Sequence, residues 1–561
     1  GSAAFLNEAV NQLADAYLER KQAELGKRIP HDEYPQELQK VRMVLADRNV
    51  FGVDLNPVAV ELAEVSLWLN AIYGEPTEDK DGNPLPLKPA RVPWFGYQLF
   101  AGNSLIGARR QVYRPTSLVK GAKPVWYEEP PRKVTVAEAR KSSEIWHFLL
   151  PDSGMADYTD KDAKKLYPED FERIKKWRKA FIAPLAQHEV ARLQQLSAKV
   201  EELWAEDTQA LARDRARTED PLDVWPHKSD RLEEPSQLSR AQKEAIRRQN
   251  LLNEDGDLAT PFRRLKLVMD YWCALWFWPI TASSSLPSRE AWWMEVGAIL
   301  EGNVVDIAPQ ISLDLMPISE APQLLVPEVQ SSFEGFEIQP PLQQAADQPN
   351  LHDKFGQLRI KKLREHFPRV LIVEAIAANR RFMHWELCFA DVLVQRGGFD
   401  LVLGNPPWLK VEWNEAGVLG EFNPLFALRK FSATELTRER ELAFASHTGL
   451  QVAWTAELEE AEGMQNSLNA VQNYPLLAGM KANLYKCFMP LAWRLNSKQG
   501  VTGLLHPEGP YDDPKGGALR EVVYGRLRRH FQFVNELLLF AEVDNHTRYS
   551  INIYGGLRES P

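Results

Sequence analysis

The chain has 561 residues, of which 44% are hydrophobic and 26% charged, and its formal net charge is −10 at pH 7. This length exceeds the size at which a single core usually stops growing, so we expect more than one folded unit. The negative charge excludes a protein that coats nucleic acid nonspecifically, but it is compatible with an enzyme whose binding groove is locally basic. The densest apolar run, residues 267–280, contains Asp270 and is too short to cross a bilayer, so we expect no membrane association.

The first residues, Gly1-Ser2-Ala3-Ala4-Phe5, form a stretch of small residues that leads into apolar residues at helical spacing. Small residues let a backbone approach a bulky ligand, and the N–H groups at the start of a helix favour a carboxylate. We therefore treat Gly1, Ser2, Ala3 and Phe5 as candidate cofactor-binding residues. The alternative for the same pattern is an ordinary helix N-terminus.

A second candidate stretch is the β-type run of residues 49–54, which ends on the acidic residue Asp54. Asn56 and Pro57 then have the residue types of an N-cap and of a first helical position. The helical spacing continues through Val58, Leu62, Val65 and Leu69. An acid at such a strand-to-helix junction can bind both hydroxyls of a ribose, so Asp54 and Leu55 are candidate cofactor-binding residues. The alternative is that Asp54 caps the helix.

A third candidate is the loop Gly102-Asn103-Ser104, which follows the run of residues 97–100. The side chain of Asn103 offers both a donor and an acceptor to the edge of an adenine ring. Asn103 and Ser104 are thus further candidate cofactor-binding residues. Glycine followed by Asn-Ser is also ordinary turn chemistry.

Residues 115–380 alternate charged, helix-prone stretches, 160–211 and 239–252, with proline-rich breaks at 130–131 and 340–341. Thr260 and Pro261 predict the start of a buried helix. We interpret the whole region as a mainly helical insertion. Two basic clusters, residues 173–179 and 520–529, are candidate phosphate contacts, although charge runs are usually solvated.

The apolar run of residues 399–404 predicts a buried strand that ends at Asn405-Pro406-Pro407-Trp408. Side chains at the carboxyl end of such a strand point into the crevice where open α/β sheets bind ligands. The side-chain carbonyl of Asn405 and the backbone carbonyl of Pro406 can both accept hydrogen bonds from one exocyclic amine. Trp408 offers a face for stacking a base, a contact worth about 1–3 kcal/mol. The alternative is a stiff Pro-Pro loop.

Downstream, we expect a helix over residues 483–495, a strand over 501–505 and two late strands over 531–540 and 549–554. His506 and Glu508 follow the first of these strands and are expected to border the crevice. The three cysteines, Cys273, Cys388 and Cys487, are odd in number and have no zinc-ligand spacing. We expect buried, reduced cysteines, no metal site and a cytoplasmic protein.

Asn405-Pro406-Pro407-Trp408 resembles the catalytic motif of the enzymes that methylate the N6 of adenine in DNA. The stretches around Ala3, Asp54 and Asn103 resemble the cofactor loop, the ribose acid and the adenine-edge motif of the same family, in the order of its gamma group. Ala3 stands where the family has glycine, and the strand and acidic residue expected just upstream are absent from this sequence.

The resemblance can be narrowed within the family. The stretches 382–387 and 397–400 are similar to those of the large adenine methyltransferases of type IIG restriction–modification and of the BREX and DISARM phage-defence systems. The stretches 146–152 and 506–509 look most like the DISARM adenine methylase.

The resemblance implies an α/β fold with a Rossmann-like S-adenosylmethionine-dependent methyltransferase sheet, formed by residues 1–114 and 381–561 around the insertion 115–380. It implies S-adenosyl-L-methionine as cofactor, double-stranded DNA with a flipped adenine as partner, and other defence-system subunits as further partners. Asn405, Pro406, Pro407 and Trp408 would be catalytic, and Asn405 would also contact the cofactor.

Other functions remain open at this point. One is a catalytically impaired DNA-binding or scaffold subunit, which Ala3 and the missing upstream strand support. Methylation of cytosine N4 is chemically close, but Asn405 favours adenine because the cytosine enzymes more often carry serine there. We find neither a nuclease cluster of the Asp…Glu-x-Lys type nor a phosphate-binding loop for ATP.

Overall fold

The computed structural model describes residues 3–72, 74–78, 84–89, 93–135, 138–226, 238–249, 256–303, 350–429 and 431–558. In these ranges the chain is a mixed α/β structure in which helices predominate. The helices are α1 Ala4–Leu25, α2 Tyr34–Arg48, α3 Pro57–Ala71, α4 Lys161–Leu166, α5 Pro168–Phe181, α6 Gln187–Thr218, α7 Arg240–Gln249, α8 Pro261–Ala274, α9 Arg289–Glu301, α10 Ile360–His366, α11 Arg369–Arg380, α12 Trp385–Cys388, α13 Ala390–Arg396, α14 Glu415–Phe422, α15 Leu425–Leu428, α16 Ala433–Ser446, α17 Leu450–Asn469, α18 Leu484–Leu495, α19 Gly509–Asp512 and α20 Gly517–Arg526. The strands are β1 Gly52–Asp54, β2 Gly74–Glu78, β3 Pro84–Pro89, β4 Leu99–Ala101, β5 Gln111–Tyr113, β6 Arg132–Lys133, β7 Ile145–Trp146, β8 Phe399–Gly404, β9 Asn496–Pro507, β10 Leu527–Val534 and β11 Arg548–Tyr554.

The amino-terminal region forms a parallel pair of short strands, β1 and β4, in which Asp54 lies opposite Ala101. Helices α1, α2 and α3 pack around this pair through one buried apolar cluster. The buried amide of Gln98 donates to the carbonyls of Ala46 and Val50 at 3.0 and 2.9 Å, which fixes the start of β4 to the end of α2. The carboxyl ends of β1 and β4 therefore lie side by side.

A second sheet has the strand order β10-β11-β9-β8. Strand β8 runs parallel to β9, and β11 is antiparallel to both β9 and β10. The helix α18 and the strand β9 expected from the sequence are confirmed, as is the late antiparallel pair. Strand β10 ends at Val534 and not at Phe540, because the chain turns at Asn535, whose buried side chain bonds the carbonyls of Phe540 and Val543.

The helices between residues 161 and 380 contribute many of the residues of the larger buried cluster. The stretches predicted as helical around 160–211 and 239–252 form α4 to α7. Thr260 caps α8, as predicted, by accepting from the N–H of Arg263 at 3.3 Å, although α8 ends at Ala274 before the apolar run does. Fully buried tryptophans fill the space between α8, α9 and their neighbours, and the same cluster continues to Leu504 and Tyr554 in the second sheet.

The prediction that β8 is buried is wrong. Leu401 and Leu403 are 42% and 38% exposed. Among the described residues, β8 is paired only with β9, so its other edge has no partner. The apolar surface continues over the neighbouring strands through Ile551 and Phe531, which are 41% and 48% exposed. The sequence predicted the position of β8 correctly. An apolar run is expected to be buried on both faces, but among the described residues one edge and one face of β8 are exposed.

Helix α3 forms where the sequence predicts it. The apolar residues that gave the helical spacing, Val58, Leu62, Val65 and Leu69, face outward. Leu62 and Leu69 are 53% and 61% exposed, whereas Ala63 and Leu67 on the opposite side are buried. Apolar residues thus lie on both of these sides of the helix, with Glu61 and Glu64 interrupting them. Among the described residues, the outer face of α3 is therefore an exposed apolar surface.

The three cysteines are buried in the core and form no disulfide, as expected. None of the described helices combines the length and the apolar composition needed to cross a membrane. Within the same described ranges, no group of three His, Cys, Asp or Glu side chains is arranged to hold a metal ion.

The two faces of α3 predict a difference in stability between two leucine variants. We expect Leu67→Ala to lower the free energy of unfolding by about 2–5 kcal/mol, because its fully buried side chain would leave a cavity. Leu62→Ala, the matched exposed control, should change it by no more than about 0.5 kcal/mol. Urea unfolding of both variants measures this, and equal losses would show that the two faces of α3 are assigned incorrectly.

Candidate cofactor and base site

Asp54 ends strand β1 in a tight polar turn. Its Oδ1 accepts from the N–H of Asn56 at 2.9 Å, and Asn56 Oδ1 in turn accepts from the N–H of Val58 at 3.0 Å. Asn56 is therefore the N-cap of α3, as the sequence predicted, and Pro57 opens the helix. Because Asn56 already performs the capping, the alternative that Asp54 caps α3 is wrong.

Asn103 lies beside Asp54 at the end of the neighbouring strand. The N–H of Gly102 donates to the carbonyl of Asp54 at 2.8 Å. The half-buried side chain of Asn103 accepts from the N–H of Leu105 at 3.2 Å, which orients its amide. Leu55, next to Asp54, is 55% exposed and offers an apolar wall. The structure thus brings together three of the predicted cofactor residues, Asp54, Leu55 and Asn103.

Sequence reasoning missed the third wall of this group, the segment 381–385 after helix α11. The carbonyl of Arg381 accepts from the N–H of Asn103 at 2.6 Å, and Met383 donates its N–H to Ile106 at 2.9 Å. The predicted residue Ser104 uses its carbonyl to accept from the indole N–H of Trp385 at 3.1 Å. No residue pattern within the run 382–387 indicates that it lies along the 102–108 loop.

The buried side chain of His384 joins the segment 381–385 to the 102–108 loop. His384 Nδ1 accepts from the N–H of Ala108 at 3.0 Å, so the ring proton lies on Nε2, which donates to Asp270 at 3.0 Å. Burial lowers the pKa of His384, which favours the neutral ring that these two hydrogen bonds need. The 102–108 loop is therefore held by side-chain as well as backbone bonds.

The amino-terminal candidates are only partly described. Gly1 and Ser2 lie outside the described residues. Ala3 is buried and adopts a left-handed conformation with φ 65°, and it precedes the first residue of α1. Phe5 is 47% exposed. Glycine is the residue type that adopts this left-handed conformation most easily, so Ala3 adopts it at a cost in backbone strain.

The tetrad lies at the carboxyl end of β8, with Asn405 and Pro407 exposed and Pro406 buried. Trp408 is half-buried and donates its indole N–H to Leu505 at 3.3 Å. Its ring packs on Phe540 and Tyr549, with centroid separations of 4.7 and 5.7 Å. No described residue hydrogen-bonds the side chain of Asn405. The amide of Asn405 is thus open to solvent beside a fixed aromatic cluster.

The two groups belong to separate sheets that meet at their amino-terminal ends. The rings of Phe51, before β1, and Phe399, at the start of β8, are 5.4 Å apart. In the part of the chain that the structure describes, no hydrogen bond or ring contact joins Asp54 or Asn103 to Asn405. Each group is assembled locally, and the structure does not bring the two into contact.

The basic clusters that the sequence offered as phosphate contacts mostly bind within the fold. Arg526 and Arg528 donate to the backbone carbonyls of Gly555 and Arg526 at 3.3 and 2.9 Å. Arg520 donates to the carbonyl of Asp513, and Arg173 pairs with Asp170 at 2.7 Å. These arginines therefore make local hydrogen bonds, whereas Lys175, Lys176 and Lys179 are exposed to solvent.

His506 follows Leu505, whose carbonyl accepts from Trp408 of the tetrad, but its buried side chain has no access to a ligand. It is fully buried, its Nδ1–H donates to the carbonyl of Pro507 at 2.8 Å, and its Nε2 accepts from the hydroxyl of Tyr554 at 2.8 Å. Burial lowers its pKa to about 4. His506 is therefore a neutral structural residue within β9, and the expectation that it borders the crevice is wrong.

In comparisons with known proteins, no family model matches the chain, and no curated protein or solved structure matches it either. Its function is therefore inferred from its own residues and their geometry.

The buried neutral state of His506 predicts a pH dependence of stability. The unfolded chain binds a proton on this ring below pH of about 6.5, whereas the folded chain does so only near pH 4. Stability from His506 is therefore present above pH of about 6.5 and is lost as the pH falls toward 4, by up to about 3 kcal/mol. Urea unfolding of the wild type and of His506→Gln at several pH values measures this difference. Parallel pH profiles for the two proteins would contradict it.

Proposed function

We propose that the chain is the catalytic part of a DNA methyltransferase that transfers a methyl group from S-adenosyl-L-methionine to N6 of a flipped adenine, in a bacterial phage-defence or restriction–modification system. The observation that carries the proposal is the position of Asn405 at the carboxyl end of β8. There its side chain is exposed, next to buried Pro406 and three residues before Trp408, whose ring packs on Phe540. Open α/β sheets bind their ligands at this kind of strand end.

The group around Asp54 supports a nucleoside-containing cofactor. A carboxylate suits two ribose hydroxyls, the Asn103 amide suits the polar edge of a purine, and exposed Leu55 suits its apolar face. These residue types lie at neighbouring strand ends, which is the arrangement that such a ligand needs. The residues present therefore fit S-adenosyl-L-methionine, which would supply an electrophilic methyl group.

The mechanism follows from the acceptors at the tetrad. An adenine must leave the duplex, since its N6 is not reachable while the base is stacked. The Asn405 side-chain carbonyl and the Pro406 carbonyl would accept the two amine hydrogens, and Pro407 has no N–H to compete for them. These two acceptors would localise the N6 lone pair for attack on an electrophilic methyl group, and the amine proton would be lost to water. Positioning of this kind can contribute several kcal/mol to lowering the barrier.

A binding or scaffold subunit without catalytic activity is the second candidate. Ala3 in place of a glycine and the unpaired edges of β1 and β8 among the described residues favour it. Isothermal titration with S-adenosyl-L-methionine separates the two candidates, because an intact cofactor group binds this ligand and a vestigial one does not.

Removing the amine acceptor should abolish methyl transfer. We expect Asn405→Ala to lose activity on unmethylated bacterial DNA, assayed with radiolabelled S-adenosyl-L-methionine, while its affinity for the cofactor stays within a few fold. Asn405→Ser, which keeps a smaller acceptor, should retain part of the rate. Equal rates for Asn405→Ala and the wild type would refute the catalytic role of Asn405.

Asp54 and Asn56 form a matched pair for testing the cofactor group. Asp54→Ala should weaken cofactor binding by at least about tenfold, because hydrogen bonds to a charged group contribute about 1.5–3 kcal/mol each. Asp54→Asn should give an intermediate affinity. Asn56→Ala, the control, should lower the stability by about 1 kcal/mol through the lost cap and leave the affinity unchanged. If Asp54→Ala instead lowers only the melting temperature, Asp54 does not bind the ribose.

A further inference from the structure

Arg381 occupies an unusual backbone conformation directly beside the candidate cofactor group. It follows the last residue of α11 and has φ 52° and ψ 52°, in the left-handed region that favours glycine. The side chain is exposed, so no burial of this residue repays the strain. Strained residues that persist in a fold are concentrated at functional sites.

The contacts of Arg381 span the two walls of that group. Its guanidinium donates from Nη1 to the carbonyl of Leu55 at 2.7 Å. Its own carbonyl accepts from the N–H of Asn103 at 2.6 Å, and the next residue, Phe382, forms a parallel bridge with Asn103. Arg381 thus hydrogen-bonds residues at the ends of both β1 and β4. These residues, Leu55 and Asn103, are the two that would flank a purine.

The left-handed conformation is what allows both contacts. A helical residue at this position would continue α11, whereas the turn at Arg381 redirects the chain to run along the 102–108 loop. The close packing of Gly102 and Gly107 shows how tightly this segment fits. A Cβ at Gly102 would lie 3.2 Å from Met383 Cβ, and one at Gly107 would overlap the carbonyl of Met383. The bond from Gly102 to Asp54 joins the two strand ends directly, and Arg381 adds a second connection from outside the strands, between Leu55 and Asn103.

We infer that Arg381 is a positioning residue that fixes the width of the slot for the adenine ring of the cofactor. The inference rests on the proposed function, since it takes the Asp54, Leu55 and Asn103 group to be the adenosine site. It adds a residue that none of the sequence motifs contains. It also means that helix α11 is connected directly to cofactor binding.

The test uses Arg381→Gly. A positioning role predicts that the cofactor affinity falls while the melting temperature does not, whereas a purely structural role predicts that the melting temperature falls while the affinity does not. Glycine relieves the backbone strain, so the melting temperature should not fall. The bond to Leu55 is lost, so the affinity for S-adenosylhomocysteine should fall about tenfold. The affinity for 5′-methylthioadenosine should fall by the same factor, because this probe keeps the adenosine and lacks the amino acid. Arg381→Lys should recover part of both affinities.

Leu538→Gly is the matched control. Leu538 is also left-handed, with φ 49°, and exposed, but it lies in the loop between β10 and β11. Its replacement should relieve the same kind of strain and leave both affinities unchanged.

The outcomes distinguish failure of the inference from failure of the proposed function. If the wild type binds both probes and Arg381→Gly binds them equally well, the slot assignment is overturned and the proposed function stands. Loss of S-adenosylhomocysteine binding alone would also overturn it, since Arg381 would then act on the amino-acid part. If the wild type binds neither probe, the cofactor site and the inference fail together. A lower melting temperature with unchanged affinities would make Arg381 purely structural.

Discussion

The buried carboxylate of Glu386 connects the parts of the chain on which the candidate site depends. Its Oε2 accepts from the N–H of Arg110 at 2.6 Å and pairs with Arg494 at 3.0 Å, while its backbone carbonyl accepts from the indole of Trp204 at 3.2 Å. These bonds join the loop after β4, helix α18 and helix α6. Burial raises the pKa of Glu386, but Arg494 and the N–H of Arg110 outweigh it, so the net shift is downward and the carboxylate remains charged. Removing one partner of such a buried pair typically costs about 3–5 kcal/mol, because the other charge is left without compensation.

Local signals in the sequence predicted local structure well. Asn56 and Thr260 cap the helices that they were expected to cap, because a cap depends only on the side chain and the next three residues. Strand β8 and helix α18 also form as predicted. The candidate residues Asp54, Leu55 and Asn103 come together because each follows one strand of the same parallel pair.

The features that the sequence did not predict depend on contacts between distant segments. An apolar stripe on α3 predicts an amphipathic helix, but it does not say which apolar side faces the core. Arg381 has no local signature, since glycine or asparagine is the residue type expected in a left-handed position. His506 was placed at the crevice because it follows a strand, but the tyrosines and helices that bury it come from elsewhere in the chain.

The uncovered apolar surfaces on α3 and on the β8 sheet have a consequence for the behaviour of the chain in solution. Such surfaces favour association between molecules, and an unpaired strand edge adds a template for it. The net charge of −10 opposes this association by mutual repulsion. Salt screens that repulsion over about 10 Å at 0.1 M and leaves the apolar attraction in place. Dilute buffer is therefore expected to favour single, dispersed chains.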